Sequence, residues 1–214
     1  MHRNLSLVCL IVPAFCAYMG NAQGKYAWNV GVTLGCAILL LLSEFRAASY
    51  CMIAGLLASL AGDYFMGHRY GKMIRYVYGI SGFFVAHIFF VLYGAKGFAL
   101  RPWAIVLGIV LLAGYSVYLK ARILPHVREM PLRIAITCYM LVSVLALFFA
   151  LSMQGTVFER ILYILGIACI VFSDTVIGET DFVGTQGIAK LIMPTYYACH
   201  ILITASVFFK SNII

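Results

Sequence analysis

The sequence predicts an all-α, polytopic membrane bundle of about eight transmembrane helices, and three observations carry that prediction. Hydrophobic residues fill 64% of the 214 positions and charged residues 10%, against roughly 45–50% and about 25% in a water-soluble domain. Mean hydropathy is +1.01. Apolar runs of about 20 residues recur from end to end, each able to cross a hydrocarbon core of about 30 Å as a helix that bonds its own backbone. Loops are short, and no linker, low-complexity tail or soluble domain interrupts them, so residues 1–214 read as a single membrane domain.

The runs lie at 5–20, 26–42, 47–66, 74–94, 98–119, 132–153, 161–177 and 187–209. The first also has the layout of a signal peptide, because Arg3 precedes an apolar stretch ending in Gly20-Asn21-Ala22; we read it as a retained helix. The second follows Lys25. In the third, Gly55, Ser59 and Asp63 are spaced i, i+4, i+8, which puts small residues on the face that carries the carboxylate. His87 sits near the middle of the fourth. Tyr139 lies about two turns into the sixth, roughly 10 Å at 1.5 Å per residue. Gly166, Ile170, Asp174 and Gly178 repeat the four-residue spacing at the end of the seventh. Tyr196, His200 and Thr204 make a polar stripe on the eighth, and Pro194 before them should free the carbonyl of Lys190 and kink that helix.

A net charge of +8 raises the question of nucleic acid. The basic residues, however, are short clusters between spans, so they report membrane orientation and no nucleic-acid partner is expected. Nine fall on one side (Lys25, Arg69, Lys72, Arg75, Lys120, Arg122, Arg128, Arg133, Lys190) and six on the other (Arg3, Arg46, Lys96, Arg101, Arg160, Lys210). The first side is therefore expected to be cytoplasmic, with both termini away from the cytoplasm. Compact size and short loops favour a bacterial inner membrane over an internal eukaryotic one.

Seven cysteines (Cys9, Cys16, Cys36, Cys51, Cys138, Cys169, Cys199) lie within apolar runs without a CxxC pair, as small packing residues do. The five histidines include no pair at the i, i+4 spacing of a helical zinc motif, and there is no phosphate loop or GxSxG elbow. No metal and no cofactor are expected.

Of seven acidic residues, Glu44, Glu129, Glu159, Glu179 and Asp181 fall in or beside loops, where water solvates them. Asp63 and Asp174 lie about a turn inside the ends of the third and seventh runs, where an unpaired carboxylate is expensive. Odd-numbered spans run in the same direction, so both carboxylates arrive at one membrane face at similar depth. Gly62-Asp63 is followed by His87 after 24 residues, and Ser173-Asp174 by His200 after 26; the two aspartates are 111 residues apart. A four-plus-four duplication about an axis along the membrane normal would produce this echo, as would chance. The expected site is a polar cavity at the cytoplasmic face, with Asp63 and Asp174 catalytic and Tyr139, Tyr196, His87, His200, Ser59 and Ser173 around them.

The segments Gly55-Leu56-Leu57-Ala58-Ser59-Leu60-Ala61-Gly62-Asp63, Gly82-Phe83-Phe84-Val85-Ala86-His87, Ser173-Asp174 and Thr195-Tyr196-Tyr197-Ala198-Cys199-His200-Ile201-Leu202-Ile203 resemble the YhhN-type lysoplasmalogenase family of membrane proteins. The layout matches over most of the chain. Two departures stand out: Lys25 has no following proline, where many members enter the second span with lysine-proline, and His200 stands where glutamine is common. The resemblance implies hydrolysis of the vinyl ether bond of lysoplasmalogens to a fatty aldehyde and a glycerophospho-base. The partners would be a lysophospholipid substrate and the surrounding membrane lipid.

On that reading one aspartate is protonated and donates to the vinyl ether carbon, while the other stays ionised, steadies the oxocarbenium ion and directs a water, as paired carboxylates do in glycosidases. Arg69, Lys72, Arg133 or Lys190 would hold the lipid phosphate. A proton- or cation-coupled transporter, or a lipid-handling protein using the same aspartates, is the competing expectation.

Overall fold

The computed structural model describes residues 1–69 and 71–210, almost all of them helical. Nine α-helices follow one another among the described residues: α1 Arg3–Cys9, α2 Ile11–Gln23, α3 Tyr26–Leu42, α4 Arg46–Gly67, α5 Met73–Ala95, α6 Pro102–Tyr118, α7 Met130–Ser152, α8 Val157–Gly178 and α9 Ile192–Phe208. Seven helical stretches among the described residues are long and apolar enough to cross a membrane. The eighth, α3, has 17 residues, about 25 Å of rise and the lower end of what a bilayer needs. The chain is a multi-pass membrane protein. α6 shows how such a helix meets lipid: Ala104 is its one buried residue, and Val106, Ile109, Val110 and Val117 are all more than half exposed.

Local chemistry moves several boundaries from where hydropathy puts them. The first run is two helices with a turn at Leu10, because Pro13 lacks an N–H and its ring crowds the carbonyl four residues earlier, at Cys9. The fifth begins at Pro102, later than its apolar stretch, because Phe98 pairs with Met153 in an antiparallel bridge and Ala99 N–H donates to Ser152 O at 2.9 Å. α8 begins at Val157, earlier than its apolar stretch, capped by Thr156, whose hydroxyl accepts from Glu159 N–H at 3.1 Å. It then loosens into a π turn at Glu179–Val183. The eighth span opens as a 3-10 turn, Gln186–Leu191, before α9. Pro194 thus stands in the first turn of α9, where a proline costs little, and the break falls at its entrance instead of mid-helix.

Several helix pairings correspond between the first and second halves of the chain. α4 packs most extensively on α5 and α8 on α9; α3 lies on α4 as α7 lies on α8; α5 meets α7 as α9 meets α3. Small residues set the spacing at the two principal pairs. A Cβ on Gly82 of α5 would stand 2.7 Å from Gly62 N of α4, and one on Gly166 of α8 would stand 3.1 Å from Ile203 N of α9. Backbones come this close only where no side chain intervenes, and in a bilayer that contact supplies much of the packing energy.

Candidate functional site

The last turns of α4 and α8, the first turn of α3, the second turn of α9 and the third turn of α7 meet near one end of the bundle. Each delivers a polar side chain there. A cavity of about 310 Å³ opens between them, lined by both Asp63 and Asp174 and by Asn29, Tyr196, Tyr197, Lys25, Arg69 and Asp181, with Phe83, Met66 and Ile177 as apolar wall. Antiparallel and parallel packing alone would bring the two helix ends to one face; the close α4–α5 and α8–α9 contacts turn both carboxylates inward. Asp63 and Asp174 are each 7% exposed, so the cavity is their main outlet.

Each of the two carboxyls has a hydroxyl donor from another helix. Tyr196 of α9 donates its hydroxyl to Asp63 Oδ2 at 2.7 Å, and the Asn29 amide of α3 reaches the same carboxyl. Tyr139 of α7 donates to Asp174 Oδ2 in a short hydrogen bond and borders a smaller recess of about 40 Å³ shared with Asp174 and Ile177. The two halves are thus cross-linked, since Asp63 from the first is held by Tyr196 from the second. The same rule places His87 of the first half beside Asp174 of the second, with Nε2 3.8 Å from Oδ2. His87 Nδ1 faces the Phe83 carbonyl at 3.0 Å. A carbonyl only accepts, so Nδ1 carries a proton and Nε2 is the ring nitrogen turned toward Asp174. That Nε2 is buried without a hydrogen-bond partner among the described residues.

His200 stands one layer back. Its Nδ1 is 3.1 Å from the Thr33 hydroxyl, and its ring packs 4.4 Å from that of Tyr196, fixing the tyrosine's direction without touching the cavity. Ser59 and Ser173 are also fully buried outside the cavity wall. Ser173 donates to Ile192 O at 3.1 Å and so ties α8 to the entrance of α9.

Of the basic residues expected to meet a phosphate, Arg69 lines the cavity; Lys72, Arg133 and Lys190 do not. Lys72 instead borders a separate recess with Arg69, Tyr76 and Glu129. Besides Tyr197, three polar contributors were not expected from sequence. Lys25 reaches the cavity from the entry of α3 without any proline after it. Asn29 could have been found as an amide four residues before Thr33 on an apolar span. Asp181, a loop carboxylate by sequence, sits in the π turn beyond α8 and faces the cavity. Among the described residues no group of three or more His, Cys, Asp or Glu could hold a metal ion.

Fold and site together define a helical membrane protein with two intramembrane carboxyls in one cavity at a basic face. The sequence model of the YhhN family matches residues 24–207, and the chain belongs to that family. Two curated relatives, the proteins called lysoplasmalogenase of Mycobacterium bovis and of Mycobacterium tuberculosis, are each 25% identical over 213 residues, covering 98% of this chain and 80% of theirs. No solved structure gives a significant match.

Proposed function

We propose that this protein is a lysoplasmalogenase-like ether hydrolase of a bacterial inner membrane, acting on lysophospholipids with a vinyl ether chain. The observation that carries the reading is the meeting of Asp63 and Asp174 in one cavity, each holding a tyrosine hydroxyl. The names of the relatives support the substrate class. The cavity opens on the face with the larger number of basic residues, which by the positive-inside rule is cytoplasmic.

The reaction needs one proton given to carbon and one water delivered. A protonated carboxyl of the pair donates to the vinyl carbon remote from oxygen, leaving an oxocarbenium ion on the other carbon. The ionised partner faces that cation and takes a proton from the water that attacks it. The hemiacetal so formed passes its hydroxyl proton to the glycerol oxygen and collapses to aldehyde and glycerophospho-base. Tyr139 and Tyr196 orient the carboxyls, and His87, buried behind the cavity wall, stands beside Asp174. Arg69 and Lys25 stand at the mouth, where the phosphate of a lipid whose chain lies in the bilayer would arrive.

Purified protein incubated with lysoplasmalogens should release fatty aldehyde, and Asp63→Asn and Asp174→Asn should each abolish release while leaving the detergent-solubilised protein folded. Full activity in both variants excludes the mechanism. Substrate-dependent proton flux into liposomes without product would replace it by transport.

A further inference from the structure

Arg69 follows α4 and Asp181 lies beyond α8, so their ion pair joins the two halves of the chain at the mouth of the cavity. Arg69 Nη2 is 3.2 Å from Asp181 Oδ2 and 3.3 Å from Oδ1. The Tyr76 hydroxyl donates to Asp181 Oδ2 at 2.7 Å, and the Arg69 guanidinium stands 5.4 Å from the centroid of the same ring. Arg69 Nη1 also donates to Met66 O at 3.3 Å. Cation and carboxylate are therefore both fixed in place, both turned to the cavity and both partly exposed, at 40% and 21% of their side chains. A pair in that setting is weak and gives way easily when each charge gains a new partner.

The geometry points to the Arg69–Asp181 pair as the reader of a zwitterionic phospho-base headgroup, a role that rests on the hydrolase reading above. On entry the lipid phosphate takes the place of Asp181 on the guanidinium fork, whose planar donors match phosphate oxygens. The ammonium of the base takes the place of Arg69 at Asp181, beside the face of Tyr76. The exchange conserves the number of ion pairs, so it proceeds at little cost. A headgroup with phosphate but no ammonium leaves Asp181 facing an anion, which repels it. Asp181 is then a specificity residue, and the internal pair holds the site ready for opposite charges in the right order.

The test compares two 1-alkenyl lysophospholipids of equal chain length, one with a phosphoethanolamine head and one with a bare phosphate, by kcat/KM for aldehyde release. Wild-type protein should prefer the ethanolamine substrate. Asp181→Asn should cut the preference roughly fivefold, the factor that a partly exposed ion pair is worth, and Asp181→Glu should restore most of it. Arg69→Gln should raise KM for both. The preference is a ratio within one preparation, so it does not depend on the fraction folded. Aldehyde release by wild type with no preference, or with a preference that survives in Asp181→Asn, overturns the headgroup assignment and leaves the hydrolase reading standing. No aldehyde from either lipid sinks both.

Discussion

Replacing Gly82 by alanine tests the link between helix packing and chemistry. The new Cβ would stand 2.7 Å from Gly62 N and 2.8 Å from Gly62 Cα, with Ala58 O at 3.2 Å. All three are backbone atoms of α4, so no side chain can swing aside. Restoring an ordinary contact of 3.4 Å requires α4 and α5 to separate by about 0.7 Å at a point one residue from Asp63. Overpacking of this kind costs about 1–3 kcal/mol. A displacement near 1 Å in a positioned catalytic group costs on the order of 100-fold in rate. Gly82→Ala should therefore lower kcat/KM for aldehyde release by roughly 10- to 100-fold, with a smaller loss of thermal stability in detergent. Gly114→Ala is the control, since a Cβ there meets nothing within 4 Å and α6 faces lipid; it should behave as wild type. Wild-type kinetics in Gly82→Ala would refute the argument that this contact sets the position of Asp63.

Tyr196→Phe removes the hydroxyl that donates to Asp63 and keeps the ring in its edge-to-face contacts with His200 and Phe83. A hydrogen bond to a charged group is worth about 1.5–3 kcal/mol, so kcat should fall roughly 10- to 150-fold with thermal stability little changed. Tyr139→Phe should behave likewise through Asp174, its ring still packed on His87; if either variant turns over like wild type, that tyrosine does not orient its carboxyl. At the opposite end of the bundle, Gly155 adopts φ 154° and a Cβ there would stand 2.5 Å from Glu159 Oε2. Gly155→Ala should lower the melting temperature and spare kcat/KM, because the perturbed loop lies a bilayer away from the cavity; a matching loss of activity would show the two ends to be coupled.

The sequence specifies the class of fold because a bilayer leaves so few alternatives. Long apolar runs must become helices that satisfy their own backbone, and seven of the eight expected runs match long membrane-spanning helices, with α3 as the shorter eighth. Boundaries escaped it where hydrogen bonding outweighs hydropathy, as at the Phe98–Met153 bridge and the Thr156 cap. Asp63 and Asp174 could be singled out from composition alone, since an apolar span with one carboxylate near its end is conspicuous and its cost invites a purpose.

The layering around the carboxyls, by contrast, was decided by tertiary packing. Tyr196 and Tyr139 contact the aspartates, while His200, one turn beyond Tyr196 on the same stripe, contacts Thr33 and backs the tyrosine instead. Periodicity names the face of a helix but not the helix it will meet, so it groups these residues without ranking them. The same limit hid Asp181 and Lys25. A charged residue at a helix end looks solvated in one dimension, and only when α4, α8 and the entry of α3 converge does that end become the rim of a cavity. Hydropathy reports how deep each residue lies along its own span; which residues share a pocket depends on contacts between spans far apart in sequence.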